Sequence, residues 1–309
     1  MKLPIVCTLL LTLSGTSLVL HASDGSAPWQ SDLHADHALV GQIWDTQAQR
    51  FVSQDALLEK LANSHTLLLG EKHDNPDHHR LRLSLLERLL DTGQPALLAM
   101  EMLTESQQTA INALSASQPL PGSETWQSML TWDDGWTWEF YEPALRAGLT
   151  TGSRIVAGNI SSDTMMQVYR ADTSEAIAAP ALLNTTQLQR LTEEIDVSHC
   201  GMLPAAQIPP MVRVQQARDQ HMANALTTPG DFSRRILLAG NFHIRHDLSV
   251  PNYLPEEFDR PLALAFLEVD PAALQASDYL SDAAGDRVYD FIWFTPAIRG
   301  DDYCADLEQ

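Results

Sequence analysis

From Val40 onward the chain alternates short unbroken apolar runs with longer stretches in which leucine, methionine and alanine recur at helical spacing. The runs HTLLLG (65–70), PALLAMEML (95–103), SRIVAGNI (153–160), RRILLAGNFHI (234–244) and PLALAFLEV (261–269) are bounded by glycine, proline or charge. None shows a polar alternation, so they read as strands buried on both faces. Helices are expected over 77–92, 105–116, 138–147, 163–170 and 210–226, with a helical insertion near 180–210. Strand and helix in succession define the fold class as α/β, a mostly parallel β-sheet flanked by helices.

Two of the runs end alike. LLLGEKH (67–73) and LLAGNFH (237–243) share the pattern Leu-Leu-x-Gly-x-x-His. Sites in parallel sheets form outside the carboxyl ends of the strands. Glu71 and His73, Glu101, Asn159, and Asn241 and His243 all leave strands there, so they are candidates for one crevice. After the first motif, Asn75 and Pro76 read as a cap and first-turn proline, which sets His73 beside a helix N-terminus. Taken singly, each histidine is equally a loop residue capping a carbonyl.

The helical wheels carry two anomalies. Arg82 falls in the middle of the apolar face formed by Leu81, Leu85, Leu86, Leu89 and Leu90, and Arg218 lies on the ladder Val214, Arg218, Met222, Leu226. A guanidinium does not shed its charge, so an arginine turned inward meets either a carboxylate of the protein or an anionic ligand. Glu71, Glu101 and Asp219 are the carboxylates at hand. WDDGWTWEFYEP (132–143) gathers three tryptophans and Tyr141, either as a helix packed by aromatics or as the wall of a flat pocket. His199 and His221 are weaker candidates, equally explained as satisfied core residues.

The formal net charge of −21 over 309 residues argues against nucleic acid as a partner, since like charges repel at long range. Residues 1–22 have Lys2 as their only charge and are apolar over most of 5–20, the pattern of a secretory signal peptide, with Ala22 before the cut. Residues 23–36 then read as a linker and 37–309 as one α/β domain. The expected location is periplasmic or secreted, membrane-associated if the signal is retained. In an oxidising compartment Cys200 and Cys304 are expected to pair, whereas Cys7 leaves with the signal. Gly-x-Ser-x-Gly, Walker, His-Glu-x-x-His and Cys-x-x-Cys motifs are missing from the sequence, which makes ordinary serine hydrolase, nucleotide and thiol-redox chemistry poor readings.

GEKHDNPDHHRL, AMEML, WTWEFYEPAL, VAGNI, HCGMLP, QARDQHMANAL, GNFHIRHDLSVPNYL and DFIWFTP together resemble the ChaN-like family of haem-binding uptake proteins. The resemblance implies an exported, non-enzymatic protein of haem or iron uptake. Its cofactor is haem, with two haems stacked face to face in a homodimer and a haem receptor or transporter as a further partner. It implies tyrosine ligation with histidine assistance, for which Tyr141 comes first and Tyr253 second, with His73 and His243 nearby and Arg82, Arg218 and Arg245 at the propionates. No separate metal site is expected. The chain departs from the family pattern at Arg82, His246 and Ser249. The wider group, which includes Tiki, TraB and erythromycin esterase proteins, implies an alternative: a metal-dependent hydrolase using Glu71, His73, Glu101 and His243. A structural or chaperone-like protein with a vestigial site is the third reading.

Overall fold

A computed structural model of the chain describes residues 27–117, 119–171, 183–279, 287–300 and 304. The signal peptide expected over 1–22 lies outside the described residues, as does the first part of the insertion expected near 180–210. The described elements run β1 (Ile43–Asp45), β2 (Arg50–Val52), α1 (Gln54–Ala62), β3 (Thr66–Leu69), α2 (Pro76–Leu90), β4 (Ala96–Thr104), α3 (Gln108–Ser115), α4 (Ser123–Leu130), α5 (Trp138–Thr150), β5 (Arg154–Asn159), α6 (Ser162–Arg170), α7 (Thr185–Ser198), α8 (Ile208–Leu226), β6 (Arg234–Leu238), β7 (Leu262–Glu268) and β8 (Phe291–Thr295).

Among the described residues one eight-stranded sheet has the order β2-β1-β8-β7-β3-β6-β4-β5. The pairs from β8 to β5 are parallel, and the short β1 and β2 add antiparallel at one edge. The expected α/β class is therefore the observed one. Successive strand residues point to opposite faces. Leu67 and Leu69 enter the core under α2 and α5, while Leu68 enters the core under α7 and α8. A strand covered on both faces needs apolar residues at every position, which is why no alternation is visible in the sequence.

The structure differs from expectation in several places, some for identifiable reasons. The run at 234–244 stops being a strand at Leu238, and Asn241–Ile244 turns as a 3-10 helix after Gly240. The β1–β2 hairpin and β8 were not expected, because three-residue strands carry little periodicity and FIWFT has no helix beside it to mark it off. The segment read as a linker is tied down before its end. Asp77 Oδ2 accepts the Gln30 and Ser31 amides at 3.0 and 2.8 Å, and Leu33 bridges to Ala297. Cys200, just past α7, is disulfide-bonded to Cys304 with a Cα separation of 5.4 Å, the pairing expected from the cysteine count. Among the described residues no helix is long and apolar enough to cross a membrane.

Candidate functional site

The two glycine motifs interlock. β3 and β6 are parallel neighbours with Leu69 opposite Leu238, so the copies run side by side one residue out of step. A Cβ on Gly70 would lie 2.2 Å from Asn241 Oδ1, and a Cβ on Gly240 would lie 2.9 Å from His73 Nε2. Each glycine makes room for a polar side chain of the other copy. The Asn241 amide donates to the Glu71 carbonyl at 2.9 Å and fixes the two loops to one another.

Glu71 is the centre of the first half of the site. It is buried, and its Oε1 accepts the Tyr141 hydroxyl at 2.7 Å and lies 2.9 Å from His73 Nδ1. Its other oxygen is paired with the Arg82 guanidinium. Burial alone would raise this carboxyl, but the Arg82 charge and the His73 hydrogen bond outweigh it and hold the group down at about 2. Asn75 caps α2 by accepting the Asp77 and His78 amides at 2.9 and 3.3 Å, with Pro76 in the first turn. The helix so started brings His79 and Arg82 back over the strand end. Burial depresses His79 to about 4, so its ring is neutral. That ring accepts from Arg82 at 3.2 Å and donates to the His73 carbonyl at 2.9 Å.

His243 is the centre of the second half. Its Nδ1 lies 2.6 Å from Asp219 Oδ1 and its Nε2 lies 3.4 Å from Glu101 Oε1, while Glu101 Oε2 accepts the Gly240 amide at 2.7 Å. Burial opposes charging of this ring, but the two carboxylates prevail and raise it to about 10. Glu101 is correspondingly held at about 2 despite its burial. The result is a buried imidazolium between two acids. A group raised from 6.5 to about 10 stabilises the fold fully below 6.5 and loses that contribution as pH climbs towards 10. Glu71 and Glu101, depressed from 4.5 to about 2, lose theirs as pH falls through that interval. Asp219 opposes them on the acid side, because burial raises it to about 6. The urea midpoint is therefore expected to be higher at pH 6 than at pH 9, and His243→Gln is expected to flatten that slope. Equal midpoints for the unaltered protein at both pH values would contradict the imidazolium assignment.

A cavity of about 880 Å³ opens at the carboxyl edge of the sheet, and Glu71, His73, Gly240 and His243 form part of its floor. Helices α6, α7 and α8 wall it, with Met165, Met166, Met211 and Val214 supplying apolar surface and Tyr169, His199 and Arg218 polar groups. His73 stands edge-on to Trp136 with ring centroids 4.8 Å apart. Because its Nδ1 is engaged by Glu71, its Nε2 is the nitrogen left for other partners. Burial opposes protonation of this ring, but Glu71 and Glu101 raise it above the ordinary value.

The expected site residues thus divide. His73, His243, Glu71 and Arg218 line the cavity, and Glu101 supports His243 from below. Tyr141 is buried beneath, its hydroxyl committed to Glu71 and its ring 5.8 Å from the Arg82 guanidinium. Tyr253 is buried in the core beside α8. Arg82 is consumed by Glu71, and Arg245 by Asp247 at 2.8 and 3.0 Å and Glu194 at 2.8 Å. His221 lies 4.0 Å from Glu105, away from the cavity lining. Sequence reasoning overlooked Tyr169, and its signal was present: Met165 and Tyr169 are four residues apart on one face of α6. It also overlooked the pairing of Asp219 with His243, since Asp219 had been offered only to an arginine. Among the described residues no group of three His, Cys, Asp or Glu side chains could hold a metal ion.

A family model whose description reads haem-binding uptake, Tiki superfamily, ChaN matches residues 57–254. Among solved structures, ChaN of Campylobacter jejuni with cofacial haem binding is similar at 21% identity and a TM-score of 0.68, covering 81% of this chain and 95% of that one. An erythromycin esterase mutant in its open conformation aligns over 85% of this chain and 99% of that one, at 14% identity and a TM-score of 0.48. None of the curated proteins matches the sequence.

Proposed function

Since this chain belongs to the haem-binding uptake family of the Tiki superfamily that includes ChaN, we propose that it binds haem in the cavity at the carboxyl edge of its sheet and serves haem or iron uptake. The observation that carries the reading is the cavity itself. About 880 Å³ walled by methionine, valine and phenylalanine suits a broad apolar disc, and within it stand a phenol, three imidazoles and a guanidinium. The donor set fits the group. Bound haem would supply a ferric iron, for which a hard anionic oxygen is a suitable ligand. Tyr169 is the phenol on the cavity wall, with His73 and His199 as the accompanying imidazoles.

This assignment departs from the order Tyr141 then Tyr253. Tyr141 would have to leave a 2.7 Å bond to the Glu71 carboxylate, and burial together with that negative charge pushes its phenol far above the ordinary range. Burial and the Asp219 charge push the Tyr253 phenol well above its ordinary range as well. Neither hydroxyl is readily ionised where it stands. Hemin titrated into the protein is expected to give a saturable Soret shift. Tyr169→Phe is expected to weaken it by roughly tenfold or more, the scale of about 1.4 kcal/mol. Tyr253→Phe should leave it near the unaltered value. Hemin affinity no greater than that for an unrelated acidic protein would overturn the reading, and an unchanged Tyr169→Phe would overturn the ligand.

The finer reading places the protein outside the cytoplasm as a homodimer with two haems face to face, handing its cargo to a receptor or transporter. Support for export comes from the apolar segment over 5–20 and from the Cys200–Cys304 disulfide. The C. jejuni ChaN structure, described as cofacial, is the support for stacked haems. The hydrolytic alternative draws on the same crevice, where Glu71 orients His73 and Glu101 faces His243. Its weakness as a metal site is chemical: both nitrogens of His243 face carboxylates, so a protonated ring offers no lone pair to a cation.

A further inference from the structure

Nearly every charge around the cavity is matched by a neighbour of opposite sign. Glu71 is paired with Arg82, Glu194 with Arg245 at 2.8 Å, Glu268 with Lys72 at 2.8 Å, and His243 with Glu101 and Asp219. Arg218 is the exception. Among the described residues it meets no carboxylate, and the polar contact of its guanidinium is with the Met165 sulfur at 3.6 Å. Around it the wall is methionine and valine.

A partly buried guanidinium in such surroundings cannot neutralise itself, and its planar fork matches a carboxylate better than any other common anion except a phosphate. It also sits on the apolar stripe of α8, where packing alone would favour leucine or methionine. Arg218 thus presents the cavity with a positive charge that has no counter-charge of its own among the described residues, inside a protein of formal net charge −21.

The geometry points to Arg218 as the anchor for a free carboxylate on the ligand, so that the cavity selects apolar bodies carrying at least one ionised carboxyl group over the same bodies without it. The inference rests on the haem reading, in which the carboxylate is a propionate. It also narrows the three expected propionate arginines to one, since Arg82 and Arg245 are already engaged.

The test compares hemin with hemin dimethyl ester, which keeps ring and iron but has no carboxylate. The full chain is expected to bind hemin roughly tenfold or more tighter than the ester, about the effect of one charge-assisted contact. Arg218→Met is expected to bring the ratio of the two dissociation constants close to one, and Arg218→Lys to retain part of it. Titration of the ester into the same variants reports whether the cavity is intact. If the unaltered protein binds acid and ester equally well, the anchor is wrong while the haem reading stands. If it binds neither, both fall. A preference for the acid that survives Arg218→Met assigns the carboxylate to another group and also overturns the inference.

Discussion

Replacing Glu71 by glutamine is expected to destabilise the protein by about 3–5 kcal/mol, the range for removing one partner of a buried ion pair. The carboxylate is the point where Arg82, the Tyr141 hydroxyl and His73 Nδ1 converge, and both Glu71 and Arg82 are almost wholly buried. A neutral amide leaves the guanidinium charge uncompensated under α2 and turns an acceptor into a donor towards one of its three partners. The penalty is therefore mostly the stranded Arg82, which predicts that the double variant Glu71→Gln, Arg82→Leu loses markedly less than the single one. Urea unfolding of both variants checks this. A single variant within 1 kcal/mol of the unaltered protein, on the scale of an ordinary surface change, would show that the buried pair does not hold the first motif in place.

Loss of the Cys200–Cys304 bond is the second large effect, expected at about 2–4 kcal/mol and towards the upper end because the bridged residues are 104 apart in sequence. Cys200 directly follows His199, which lies on the cavity wall with its Nδ1 2.7 Å from the Ile195 carbonyl. The bond thus fastens the turn between α7 and α8, which between them form one side of the cavity. Thermal unfolding of Cys304→Ser in non-reducing buffer should fall to the midpoint of the unaltered protein in reductant. If reductant leaves the unaltered midpoint in place, the bond does not contribute, and the support it lends to an oxidising compartment disappears with it.

Much of the frame was legible from one dimension. The five long runs became β3, β4, β5, β6 and β7, because strands buried on both faces write themselves as continuous apolar sequence. Asn75 and Pro76 announced the start of α2, since capping is a local interaction. The site was less legible. Arg82 and Arg218 gave the same signal, an arginine on an apolar stripe, yet one lies in an internal pair and the other faces open space. Periodicity reports that a residue points inward and carries nothing about what it meets there. Tyr169 was passed over for the same reason: aromatic context drew attention to Tyr141, whose hydroxyl is occupied by Glu71 at the strand end it packs against.

By itself the sequence determined the α/β class, the parallel order of elements and the pairing of two cysteines, because these follow from local periodicity, caps and composition. It also determined that two glycine motifs end two strands. Only the tertiary structure decided that β3 and β6 are neighbours, one residue out of register, so that Gly70 admits Asn241 and Gly240 admits His73. The same folding placed Asp219 and Glu101 on either side of His243 and, among the described residues, left Arg218 without an acid. Which charges are matched is set by distances of a few ångströms between residues far apart in the chain, and Coulomb interactions in a buried site depend on those distances and on solvent exclusion.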